Sequence, residues 1–137
     1  MLLEALVYGH RAPPLPCPVL ETGERPQLDP IPLLEALGSM RLRGYDLAEL
    51  AAAFHESIAS ATSDIVRRLS ADAGLDTVVL GGGVFQNTRL TESIRSRLTA
   101  MGLKVLTAID LPPNDGGVSF GQAVVTAARL SSVTDIE

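Results

Sequence analysis

The residues best suited to chemistry lie in two glycine-bearing turns. The first reads Leu80-Gly81-Gly82-Gly83-Val84-Phe85-Gln86-Asn87 and the second Pro112-Pro113-Asn114-Asp115-Gly116-Gly117. Glycine has no Cβ, so a ligand can come close to the backbone of the first turn, and the helix expected after it offers free N–H groups to a phosphate or an adenosine. The same residues also suit a tight strand-to-helix turn with positive φ and Asn87 as N-cap. The first turn lacks the second glycine pair and downstream acid of a dinucleotide fingerprint, and the Gly-Lys-Ser/Thr of a Walker loop. In the second turn a single carboxylate, Asp115, stands between Asn114 and two glycines, an oxygen ligand of the kind a hard cation or a magnesium–phosphate unit uses. The competing reading makes Asp115 a helix N-cap and Asn114 a turn residue. One carboxylate does not make a metal site.

The remaining reactive side chains are isolated. His55 falls at the edge of an apolar helical stripe, where a histidine hydrogen-bonded to a neighbour is the ordinary reading and a catalytic one the alternative. His10 follows Gly9 in what reads as loop, too far along the chain from His55 for a local ligand pair of the i, i+4 kind. Cys17 lies between prolines without a nearby activating base and reads as an ordinary thiol. Neither a Gly-x-Ser-x-Gly elbow nor a paired-carboxylate motif is present, which removes support for a self-contained hydrolase.

The elements that must position these residues follow from periodicity. Leu2 to Tyr8 reads as the last turns of a helix. Seven of the nine prolines fall at 13, 14, 16, 18, 26, 30 and 32, so this stretch is expected to hold no regular helix or central strand and to act as a connector. From Asp46, a plausible N-cap, Leu47, Leu50, Phe54, Ile58, Ile65 and Leu69 recur at helical spacing to about Asp72. Asp76 to Leu80 is a short β-branched run that suits a buried strand. Leu90, Ile94, Leu98 and Met101 mark a second helix with Gly102 just past its end. Leu103 to Ile109 reads as a second strand, and Val118 to Leu130 as a last helix. Strand, helix and strand at this spacing imply a parallel crossover. Both glycine turns then follow the C-terminal ends of strands, where open α/β sheets place ligands. Two parallel strands make a poor sheet by themselves, and the sequence calls for strands it does not contain.

Composition bounds the rest. The chain has 137 residues, 46% of them hydrophobic, enough for one domain with a core. No run approaches the ~20 apolar residues of a membrane helix, and no basic stretch precedes the apolar N-terminus, so the expectation is a cytoplasmic chain with no membrane contact. A formal charge of −5 with no basic cluster argues against a nucleic-acid surface.

Taken together, Val79-Leu-Gly-Gly-Gly-Val-Phe-Gln-Asn87, Pro112-Pro-Asn-Asp-Gly-Gly-Val-Ser-Phe-Gly-Gln122 and Ala53-Phe54-His55 closely resemble the C-terminal end of the HypF family, the carbamoyltransferases of nickel–iron hydrogenase maturation. The likeness runs from about Leu28 to the last helix. It implies an α/β fold, a partial actin-like (ASKHA, TsaD-like) lobe with a small parallel sheet flanked by helices. Residues 1–32 would be a helix end and proline-rich connector, and residues 33–137 the C-terminal lobe of the carbamoyltransferase domain. The resemblance also implies the chemistry. Carbamoyl phosphate and ATP give carbamoyl adenylate, and the carbamoyl group passes to the C-terminal cysteine of a HypE-like acceptor protein, a protein modification.

Residue by residue, Gly82, Gly83 and Asn87 match positions that contact the adenine nucleotide in the wider family. Asp115 matches the carboxylate that ligates a divalent metal (zinc, iron or magnesium). Glu4, within Leu3-Glu4-Ala5-Leu6, aligns over a short stretch with a glutamate that meets the ribose. The resemblance assigns no catalytic residue. Gly81 stands where serine is usual and Phe120 where leucine is usual. The family's His-x-x-x-His metal pair, its acylphosphatase-like module, zinc-finger region and YrdC-like domain are missing from this chain. Met1 falls inside what reads as a helix, so a fragment of a longer reading frame is expected, inactive alone and dependent on the upstream HypF domains. The alternatives are a lobe of a TsaD-like tRNA threonylcarbamoyl transferase, which the negative charge disfavours, and a non-catalytic interaction module in which the glycine turns are only turns.

Overall fold

The computed structural model describes residues 2–7, 9–21 and 26–134. Its elements are α1 (Leu2–Leu6), β1 (Val19–Leu20), β2 (Gln27–Leu28), α2 (Ile31–Leu42), α3 (Leu47–Ala73), β3 (Thr77–Leu80), α4 (Thr88–Ala100), β4 (Lys104–Thr107) and α5 (Val118–Thr134), with 3₁₀ turns at Gly83–Gln86 and Asp115–Gly117. Met1 and Tyr8, to which the expected first helix extends, lie outside the described residues.

The 27 residues of α3 form the backbone of the fold. The helix opens at Asp46, whose N–H donates to the Glu49 carboxylate at 3.3 Å, and closes at Gly74 in the left-handed region, φ 65°. Its apolar face is lined by alanines at 48, 51, 52, 53, 59 and 61, all buried. Small side chains there let the neighbouring helices come close. Two buried serines are satisfied within the helix, Ser57 on the Ala53 carbonyl at 2.6 Å and Ser63 on the Ala59 carbonyl at 2.7 Å. Ser57 also accepts the N–H of Leu15 at 2.7 Å, which fastens the proline-rich connector to α3.

That connector holds more regular structure than its prolines suggest. The ladder of β1 and β2 is antiparallel, pairing Val19 with Leu28, and Pro18 and Pro26 flank it rather than enter it. Helix α2 starts at Ile31, inside the stretch expected to lack helix, because Pro32 occupies the first turn, where a missing N–H costs nothing. Its apolar residues point to several sides. Leu33 is buried while Ile31, Leu34 and Leu42 are exposed, so no single stripe announces the helix.

Strands β3 and β4 pair in parallel, Thr77 with Lys104 through Leu80 with Thr107. Val78, Leu80 and Val105 turn to one face and pack with Ala59 of α3 and Leu90, Ile94 and Leu98 of α4. Burial of each large aliphatic side chain there is worth roughly 1.5–3 kcal/mol. The opposite face is bare, with Val79 71% and Leu106 44% exposed. Helix α5 is exposed along residues 118–130, including Val118, Phe120, Val124 and Leu130. Among the described residues no helix is long and apolar enough to cross a membrane.

Candidate functional site

Because β3 and β4 run parallel, the turns that leave them emerge at the same end of the sheet. The two turns also touch. The N–H of Gly82 donates to the carbonyl of Pro113, and a Cβ added at Gly83 would lie 3.9 Å from Cβ of Asn114. Gly82 adopts φ 104° and ψ 162°, a conformation open essentially only to glycine. At Gly117 a Cβ would stand 3.0 Å from the Pro112 carbonyl, so the second turn is closed tightly on itself.

Asn87 ends the first turn and caps α4, its Oδ1 accepting the N–H of Leu90 at 3.0 Å. Its Nδ2 contacts Nε2 of His55 at 2.8 Å. His55 is 3% exposed, and its Nδ1 contacts the Ala51 carbonyl at 2.7 Å. Glu4 reaches the same place from the other end of the chain: its Oε1 accepts the N–H of Thr88 at 2.7 Å. Glu4, Gly82, Gly83 and Asn87 are thus brought together around the start of α4, beside the turn that carries Asp115.

The free N–H groups expected at the start of α4 are largely taken. Thr88 N–H is held by Glu4 and Leu90 N–H by Asn87. A carboxylate already seated at the helix N-terminus opposes a second anion there, so this end of the site suits the uncharged base and ribose rather than a phosphate. In the second turn Asn114 caps the 3₁₀ turn, its Oδ1 accepting Gly116 N–H at 2.9 Å, and not Asp115 as the competing reading has it.

Asp115 is exposed and enters no ion pair among the described residues. No group of three or more His, Cys, Asp or Glu side chains able to hold a metal occurs among the described residues. The donor set is one carboxylate, so these residues do not fit a metal by themselves. His10, the other histidine, is exposed in loop.

Periodicity and spacing also passed over a charged hollow of about 470 Å³ on the α3–α4 flank, lined by Arg11, Glu56, Arg89 and Arg97 among others. Glu56 pairs with Arg97 at 2.8 Å and Arg89 at 3.7 Å, and Ser93 donates to it at 3.2 Å. The pairing spans α3 and α4, so no local pattern signals it. Cys17 lies apart from the glycine turns, its thiol donating to the Asp29 carbonyl at 3.6 Å. Burial, and next the charge of Asp29, push that thiol upward from its ordinary value.

Parallel strands with both glycine turns at one end make this an α/β lobe of the ligand-binding kind. The family described as "Carbamoyltransferase, Kae1-like Domain, second subdomain" matches residues 1–122, and the chain belongs to it. Carbamoyltransferase HypF2 of Cupriavidus necator is 43% identical over 102 residues, 74% of this chain and 12% of that protein. Carbamoyltransferase HypF of Rhodobacter capsulatus is 40% identical over 105 residues, 77% of this chain and 13% of that protein. Among solved structures, full-length HypF in the phosphate- and nucleotide-bound form matches with a TM-score of 0.85 and 30% identity, over 93% of this chain and 17% of that one. The chain therefore spans a small part of the relatives it matches.

Proposed function

We propose that this chain forms one wall of the nucleotide site of a HypF-like carbamoyltransferase and acts together with the remainder of such an enzyme. The observation that carries the reading is the hydrogen bond from Gly82 to Pro113, which sets both glycine turns against each other beside Asn87 and Glu4. The solved relative is described as nucleotide-bound, which accords with an adenine nucleotide. The backbone of Gly82 and Gly83 lets the ligand approach, Asn87 offers an amide N–H to the base, and the second carboxylate oxygen of Glu4 accepts from a ribose hydroxyl. Asp115 supplies one oxygen toward a divalent metal whose other ligands come from outside the described residues.

The reaction we assign to the complete enzyme is transfer of a carbamoyl group from carbamoyl adenylate, made from carbamoyl phosphate and ATP, to the C-terminal cysteine of a HypE-like protein. The acceptor thiolate forms the S–C bond as the C–O bond to phosphate breaks, and AMP leaves. The negative net charge disfavours an RNA substrate.

ATP titration tests the reading, with the chain mixed with the separately expressed preceding part of a HypF relative. Saturable binding that weakens about tenfold or more on Asn87→Ala supports it. Absence of ATP binding in every combination supports an interaction module instead.

A further inference from the structure

We infer that His55 is a positioning residue for the nucleotide site: as a neutral imidazole it fixes which way the Asn87 amide faces. The inference rests on the proposed role of Asn87.

Two groups that can each act in only one way, the Ala51 carbonyl and the Leu90 N–H, determine the arrangement. The Ala51 carbonyl only accepts, so at 2.7 Å it places the proton of His55 on Nδ1. The N–H of Leu90 only donates, so the Asn87 atom 3.0 Å from it is Oδ1. It follows that Nδ2 is the Asn87 atom 2.8 Å from Nε2; it can only donate, so Nε2 is a bare lone pair and the ring protonated at Nδ1 is neutral. The helix cap thus specifies the amide orientation, and the Nε2 lone pair accepts the N–H that this orientation presents.

The consequence is functional. With one N–H on His55 and Oδ1 on Leu90, Asn87 keeps a single N–H for a ligand. That leaves the site a donor suited to an acceptor such as a purine ring nitrogen. His55 is nearly sealed from solvent and lies at the base of this relay, so it acts on the ligand only through Asn87. Without the imidazole acceptor the cap still holds Oδ1, but nothing holds the plane of the amide from the other side. The remaining N–H is then free to swing, and ordering it comes out of binding.

Two measurements test the inference. In the chain labelled with ¹⁵N, the imidazole shifts should show Nδ1 protonated and Nε2 bare, with a nitrogen–nitrogen coupling across the bond from Asn87 Nδ2 to His55 Nε2. An Nε2-protonated ring, or absence of that coupling, overturns it whether or not any variant folds. The second measurement is ATP affinity in the combination with the preceding part of a HypF relative. His55→Phe, which keeps an aromatic ring and removes the acceptor, should weaken ATP about three- to tenfold, while His55→Gln, whose oxygen can accept from Asn87, should recover most of the loss. If Asn87→Ala abolishes binding and His55→Phe does not change it, the inference fails and the nucleotide reading stands. If the unmodified chain does not bind ATP in any combination, the nucleotide reading fails and takes the inference with it.

Discussion

The backbone N–H of Gly82 donates to the carbonyl of Pro113, so the turn that follows β3 is held directly against the turn that follows β4. One hydrogen bond joins the glycines of the first turn to the segment that presents Asp115. This contact depends on Gly82 reaching φ 104°.

Gly82→Ala should therefore destabilise the chain by roughly 1–3 kcal/mol, from backbone strain alone, because the space around an added Cβ is open. Gly83→Ala should leave urea stability nearly unchanged, since its Cβ would make an ordinary contact with Asn114 at 3.9 Å. A loss of ATP affinity in Gly83→Ala without a loss of stability would mark close approach of the ligand to that backbone.

Asn87→Ala removes the cap of α4 and leaves Nε2 of His55 without its donor. The expected cost is roughly 1–2 kcal/mol in urea unfolding. Asn87→Ser keeps a capping oxygen and loses the reach to His55, so its stability should fall between the two.

The two faces of the sheet should respond differently to truncation. Leu98→Ala, at a position with no exposed surface, should cost about 2–5 kcal/mol. Val79→Ala, on the bare face, should change the stability of the isolated chain by less than about 0.5 kcal/mol. If Val79→Ala is as costly as Leu98→Ala, the described packing is wrong.

Cys17 should alkylate slowly. Its thiol is pushed upward first by burial and then by Asp29, so at any pH below that raised value the folded chain holds less thiolate than the unfolded chain, and thiolate is the reacting form. Iodoacetamide labelling at pH 8 should be slower in the folded chain than in urea, and the folded-state rate should climb further as pH rises. Equal rates would contradict the partial burial of this residue.

How much of this was legible in the sequence depended on the range of the interactions. Helix α3 and strands β3 and β4 showed in the spacing of Leu50, Phe54 and Ile58 and in the β-branched run ending at Leu80, because one face of each must be apolar. Helix α2 did not show, since only Leu33 is buried and the prolines before it read as a break. Turn chemistry revealed Asn87 as a cap, a local relation. Its bond to His55, 32 positions away, and that of Glu4 to Thr88, 84 positions away, depend on helix packing that no local pattern encodes. The bare sheet face and the exposed α5 accord with an early sign in the sequence, two parallel strands that need neighbours.

The most direct test of the central claim is to ask whether both glycine turns meet one nucleotide. The ¹⁵N-labelled chain, combined with the preceding part of a HypF relative, is titrated with Mn²⁺–ATP while amide line widths are followed. The account predicts that amides at 82–88 and 114–117 broaden together, ahead of those at Gly74 and Leu75. Broadening confined to one turn, or strongest at Gly74 and Leu75, would contradict a shared site.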